Sequence, residues 1–473
     1  MQYIMTSIPS RYIRLLKCIE ELQNDLENVS VSNDRYCALI SEIIGIAEEL
    51  QIPAIGILKE LKDWFDNNSF SKDSGNEIIL LVKSIYTHVD QEYKKRLVDH
   101  VDGLLKEIRI ENYFGTNFKK RALLVYVLEP FVFSNSQSSH TNDCEARIIA
   151  EVIRDYGYDL DIVNGYYVGE LEAEVYDLVI GFREPFERVL SQKRRDCIAV
   201  YYTTEASSYF ANQAELKRVL DFYERHEIRL PYERQNNHFL NLSNLLLADG
   251  AISIGNNWTL STYEGMFRKC YKQSAIAHIL SCDGTHREGV KFGRSFMWYG
   301  GFGALHKGVD LCIEALGDIP ELELHIVGQL NESLSDFYKD VLEKSENIFY
   351  HGFLRPEDED FLELCGRCDF CLGVSCSEGQ STAMLTAMAG GMIPVCIDTM
   401  GIDVEKCGGI RIDDCSITKL KETCERLSQM DAQEIEERRR KAYDYARINH
   451  SEEAFREAFR ENLGYFKPLI FQM

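Results

Sequence analysis

The sequence predicts an α/β protein: two successive parallel-sheet, Rossmann-like domains preceded by an all-helical segment. Three observations carry this. Apolar residues recur at helical spacing up to about residue 110, strand-length apolar runs alternate with helical patterns from residue 122 onward, and the alternation starts again after a polar stretch at 282–291 that contains Gly284 and Gly289. The 473 residues suffice for about three domains. Apolar residues at 45% and charged residues at 27% fit a folded globular chain and exclude disorder over most of its length.

The helical segment is read from two stripes. Tyr12, Leu15, Leu16, Ile19, Leu22 and Leu26 share one face, and Tyr36, Leu39, Ile40, Ile43, Ile44 and Ala47 repeat it. No chemistry is visible there; packing onto the next domain, self-association, or docking of a substrate or membrane are the roles open to it. From 122–128 the pattern becomes strand, with a helix at 145–156 and further strands at 158–163, 176–181, 197–203 and 250–255. Loops leaving the carboxyl ends of such strands carry function, which singles out 129–144 and 204–212. His140, Asn142 and Glu145 cluster in the first. His140 there can bond a ligand hydroxyl or serve as a capping or packing residue.

The second alternation runs from a strand at 296–299 through helices at 306–316, 334–344 and 356–366 and strands at 322–327, 348–350 and 369–374. Gly300, Gly301 and Gly303 let the backbone approach a ligand closely, and Lys307 places an ammonium at the next helix start. At 375–398 a polar Glu378-Gly379 turn precedes a small-residue helix over 382–389 and a strand over 393–397. The helix start at Ser381 and Thr382 offers backbone N–H groups to a phosphate, while Glu378 can accept bonds from hydroxyls of the same ligand. Helices at 417–430, 432–448 and 452–463 close the chain, the last with a Phe455, Phe459, Leu463, Phe466 stripe.

Net charge bounds the partners. Lys and Arg number 52 against 76 Asp and Glu, giving −24, so a polyanion such as nucleic acid is repelled. The basic runs at 94–96, 119–121, 193–195 and 438–440 are read as solvated faces or as contacts to anionic membrane or phosphorylated acceptor. Fifteen cysteines without a signal-peptide pattern point to the cytoplasm. No apolar run reaches the ~18 residues of a membrane helix. Cys365, Cys368, Cys371 and Cys376 have metal-like spacing but are read as small core residues, and the acidic runs at 357–360 and 159–161 as first-turn and strand-edge charge; no metal site is expected.

The 375–398 stretch resembles the donor-binding motif of retaining GT-B glycosyltransferases, the family-four-like glycosyl transferases group 1. Glu378, Gly379, Ala387, Met388, Ala389, Gly391, Pro394 and Val395 match, as do Lys307-Gly308 of the glycine loop and the Gly-Phe turn at Gly352-Phe353. Thr386 stands where the family has a second Glu, and Phe302 where it has an Arg. The resemblance spans about 350 residues, weakly in the first half. It implies the GT-B fold, with a helical domain at 1–118, an acceptor domain at 119–285, a donor domain at 286–450 and a helix at 451–473 crossing back. It implies metal-independent, retaining transfer of a sugar from a nucleotide-diphosphate sugar to an acceptor hydroxyl, without a cofactor, in polysaccharide or glycoconjugate biosynthesis. The catalytic candidates are Glu378, Lys307 and His140. Those for the donor are Gly301, Gly303, Phe353, Leu354, Gly379, Ser381, Thr382 and Thr386, with Phe353 or the Leu354 backbone toward the base. The implied partners are the donor, a glycan, lipid-linked or protein acceptor, the inner membrane face as a peripheral contact, and a second copy or another glycosyltransferase. A catalytically weak GT-B subunit serving as scaffold is the alternative.

Overall fold

The computed structural model describes residues 18–19, 22, 39–44, 59, 103, 105–133, 141–235, 245–281 and 292–466. The chain divides into two compact units, Met1–Leu105 and Lys106–Met473. In the first, Cys18, Ile19, Leu22 and residues 39–44 are helical, with Ile19, Leu22, Ile40 and Ile43 buried, as their stripes predict. Lys59, Gly103 and Leu105 are helical too, but Arg109–Ile110, at the end of the stretch read as helical, form a short strand; the remaining helical reading, His140 and the stretch 282–291 lie outside the described residues.

The second unit holds two sheets. In the first, β1 (Arg109–Ile110), β2 (Lys120–Tyr126), β3 (Tyr158–Asn164), β4 (Leu178–Gly181), β5 (Ile198–Thr203), β6 (Gly250–Ile254) and β7 (Cys270–Gln273) stand in the order β1-β3-β2-β4-β5-β6-β7. All pairs are parallel except β1 on β3. β1 and β7 went unpredicted: β1 is two residues long, and β7 is largely half-buried or exposed, so neither shows an apolar run. The second sheet comprises β8 (Ser295–Tyr299), β9 (Glu323–Val327), β10 (Ile348–Gly352), β11 (Phe370–Gly373), β12 (Ile393–Cys396) and β13 (Ile410–Arg411), in the order β10-β9-β8-β11-β12-β13, all parallel. That is the Rossmann order, with its reversal between β8 and β11; the first sheet reverses between β2 and β4. Buried on both faces, the central strands read as nearly continuous apolar residues, Ala, Tyr, Met, Trp and Cys among the Val, Ile, Leu and Phe. The fold is thus α/β with two Rossmann-like lobes, the GT-B arrangement.

Six helices either open onto the space between the lobes or tie the lobes together: α1 (Asn142–Asp155), α2 (Arg183–Gln192), α3 (Ser208–His226), α4 (Val309–Gly317), α5 (Thr382–Ala389) and α6 (Glu452–Gly464). α6 returns to the first lobe. Its Phe455 and Phe459 are fully buried, Phe459 meets Tyr202 of β5 at 6.1 Å, and Arg460 bonds Asp155 of α1 at 2.8 Å. α3 reaches from the first lobe to the second. Arg225 is bonded to Asp310 of α4, Arg218 donates to the Val374 carbonyl at 2.9 Å, and Phe222 packs on Phe337 at 5.2 Å. Both lobe crossings bury aromatic rings, so apolar area and not charge alone holds the lobes together. Among the described residues no helix is long and apolar enough to cross a membrane.

Candidate functional site

Two loops that leave neighbouring strands build one wall of a cleft. After β8 the chain passes Gly300 to Gly303, where Gly303 has φ +88, a left-handed conformation that a side chain disfavours. A β-carbon on Gly301 would meet nothing within 4 Å, so the loop is open there. Gly308 then turns at φ +74 as the cap of α4, close to the Val374 carbonyl, which leaves Lys307 just ahead of the helix. After β11 the chain runs through Glu378 and Gly379 to Ser381, whose hydroxyl accepts from the Met384 amide and caps α5. Lys307, Glu378, Ser381, Thr382 and Gly301 all line a cleft of about 510 Å³.

The other wall comes from the first lobe. Thr204 and Glu205 follow β5, Asn142 opens α1, Arg183 opens α2, and Arg234 lies on the loop after α3; all line the same cleft. Arg234 lies over Gly303, where an added β-carbon would fall 2.5 Å from its Cδ. It donates to Glu205 Oε1 at 2.7 Å and stands 4.0 Å from Glu378, which in turn is hydrogen-bonded to Lys307. The result is an alternating chain of charge across the lobes: Glu205, Arg234, Glu378, Lys307. Burial alone would raise the Glu378 carboxyl, but Lys307 and Arg234 outweigh it and hold it at about 2. Burial lowers the Lys307 ammonium from its ordinary value, against the pull of Glu378. His306, buried behind the loop and near Arg234, is pushed down to about 4 and is neutral at pH 7. Its Nε2 is 2.8 Å from the Ser377 carbonyl, which fixes the loop ahead of Glu378.

The remaining predicted residues stand elsewhere. Gly379 lies where the lobes touch: its carbonyl accepts from Thr259 Oγ1 at 2.6 Å, and a β-carbon there would fall 2.2 Å from the Thr204 carbonyl oxygen. Thr386 is one turn beyond Thr382 on α5, about 6 Å along the helix. It is buried, and its hydroxyl accepts from the His278 amide at 3.2 Å, so it faces the 275–280 segment and does not line the cleft. Phe353, 48% exposed, and Leu354 follow the edge strand β10 and are likewise absent from the lining. Cys365, Cys368 and Cys371 are buried, Cys376 lies 3.4 Å from His306, and among the described residues no group of three or more His, Cys, Asp or Glu is placed to hold a metal.

Arg183, Arg234 and Tyr166 were not singled out from the sequence. No motif marks any of them: Tyr166 stands between Gly165 and Tyr167, Arg183 directly follows Phe182 at the end of an apolar run, and Arg234 lies in a polar stretch. The Pro231-Tyr232-Glu233-Arg234 run after α3 was the one local signal that the chain turns back to the cleft there.

Glu145 lies beneath this wall, 1% exposed, accepting from the Tyr126 hydroxyl at 3.1 Å and from that of Tyr202 at 3.4 Å. Burial raises it from the ordinary 4.5 to about 7, against those bonds. The unfolded chain therefore ionises first as pH rises. Stability from this group is fully present below about pH 4.5 and is lost by about pH 7, a change of roughly 3 kcal/mol. Glu145→Gln is expected to remove that decline; melting temperature against pH for both proteins checks it, and parallel curves would refute it.

Residues 293–430 match the family model described as Glycosyl transferases group 1. No curated protein matches the chain. Among solved structures, the sucrose-phosphate synthase of Thermosynechococcus elongatus is similar at 12% identity, covering 75% of this chain and 99% of that one, with a TM-score of 0.49. HepE of Anabaena, determined with UDP and glucose, is similar at 13% identity over 73% and 100%, with a TM-score of 0.46. WaaG, a glycosyltransferase involved in lipopolysaccharide biosynthesis, is similar at 13% identity over 72% and 98%, with a TM-score of 0.45.

Proposed function

We propose that this chain, which carries a glycosyl transferases group 1 domain over residues 293–430, moves a sugar from a nucleotide-diphosphate sugar to an acceptor hydroxyl, with retention and without a metal. The observation behind this is the meeting of Lys307 with the amino end of α5 outside the carboxyl ends of β8 and β11, the strands where the second sheet reverses. Ligands of open α/β sheets bind at such a point. The bond from the anomeric carbon to the phosphate oxygen breaks as the bond to the acceptor oxygen forms on the same face, and the acceptor proton passes to the departing phosphate. Negative charge grows on the diphosphate in that step. Lys307, Arg234 and the first N–H groups of α5 stand where they stabilise it. Glu378, kept ionised, accepts bonds from the donor sugar's hydroxyls.

A panel of nucleotide sugars tests this. At least one is expected to raise the melting temperature and to be slowly hydrolysed, with both effects lost in Glu378→Ala. No response to any donor would favour the scaffold alternative, which the 69% exposed Phe302 in the lining and the buried Thr386 motivate.

A further inference from the structure

We propose that Arg183, stacked on Tyr166, forms an acceptor subsite for an anionic group, a carboxylate or phosphate carried by the acceptor sugar. The first sheet reverses between β2 and β4, and the chain leaving β4 reaches Arg183 within two residues. Both lobes thus turn their reversal points to one cleft. The second lobe's point holds Lys307 and the α5 start; the first lobe's holds Arg183 and Asn142. This placement separates the two substrates, and the subsite presupposes the glycosyltransferase activity proposed above.

The side-chain geometry is specific. The Arg183 guanidinium carbon sits 3.9 Å from the centre of the Tyr166 ring and 5.0 Å from that of Phe182. Its stem runs past Gly165, where a β-carbon would lie 3.5 Å from Cδ. Stacking uses the flat face of a guanidinium and fixes the plane of its N–H fork, the geometry that matches a carboxylate or phosphate. Burial pulls the Arg183 pKa below its ordinary value, against the nearby Glu205 charge. The backbone of Arg183 is held at φ +68, and Gln or Lys there carries the same strain, so substitution isolates the side chain.

Matched acceptors test this: p-nitrophenyl β-glucuronide against p-nitrophenyl β-glucoside for a carboxylate, and glucose 6-phosphate against glucose for a phosphate. Transfer is measured beside donor hydrolysis by water, with the nucleotide sugar that the panel identifies. The wild type is expected to prefer the anionic member of at least one pair, and the pair that responds identifies the group. Arg183→Gln is expected to lower kcat/KM for that acceptor on the order of 30- to 100-fold, and for its neutral counterpart by a clearly smaller factor. Arg183→Lys restores part of the preference, and Tyr166→Leu, which removes the platform, lowers it independently. Equal losses for neutral and anionic acceptors, or no anionic preference in the wild type while the donor is hydrolysed, overturn the subsite and leave the glycosyltransferase. Absence of donor hydrolysis in the wild type overturns both.

Discussion

Lys307→Ala is expected to lower donor hydrolysis by about 10²- to 10³-fold, the range for removing one group that meets charge developing in a transition state. It also has a cost in the protein without ligand. Glu378, buried with only 9% of its side chain exposed, would keep Arg234 at 4.0 Å as its remaining close cation. Breaking a buried pair by removing one partner costs about 3–5 kcal/mol, most of it the unmatched charge left behind. Because Lys307 is the largest influence that lowers Glu378, the carboxyl should rise from about 2 once it is gone. Stability from a depressed carboxyl is present above the ordinary 4.5 and lost as pH falls toward the folded value, so the variant's acid limb should move to higher pH. Lys307→Ala/Glu378→Gln should recover most of the stability and none of the turnover. Melting curves from pH 3 to 8 with hydrolysis rates check both; unchanged hydrolysis in the single variant would remove Lys307 from the chemistry.

That pair shows what a sequence can display. Lys307 and Glu378 each sit in a local strand–loop–helix pattern, so glycines, caps and periodicity place them at strand ends before any contact is known. Arg234 is different. It meets Gly303 and Glu205 only after α3 has carried the chain across to the second lobe, and no periodicity records where a loop lands. Thr386 fails in the opposite direction: the motif puts it on the right helix, but one turn of rise takes its hydroxyl past the cleft to the His278 amide. Phe353 and Leu354 follow the edge strand of the sheet, whereas the cleft forms at the reversal near its middle, and strand order is not written in any single strand. The double alternation of strands and helices, by contrast, was legible because buried parallel strands admit little but apolar side chains.

Gly379→Ala should open the cleft, and it does so by a route that side-chain relaxation cannot relieve. The new β-carbon would lie 2.2 Å from the Thr204 carbonyl oxygen and 2.9 Å from the Glu205 Cα. Both are backbone atoms at the end of β5, so no rotamer change makes room. Nor does the loop have free room to shift, because the Gly379 carbonyl lies close to Gly401, where an added β-carbon would fall 2.0 Å from it, and accepts from Thr259 at 2.6 Å. The lobes must therefore part by about 1 Å, a displacement that costs about 10²-fold when it separates groups acting on one substrate. Glu378 and Glu205 flank this contact, so the Arg234 bridge between them is stretched in the same movement. Overpacking should also lower stability by about 1–3 kcal/mol. Gly301→Ala is the control: its β-carbon meets nothing within 4 Å, so it should leave the melting temperature unchanged even where it hinders a ligand. Should the two alanine variants melt together and hydrolyse donor at equal rates, the lobes do not meet at Gly379 in solution, and the cross-lobe chain from Glu205 to Lys307 is broken as a unit.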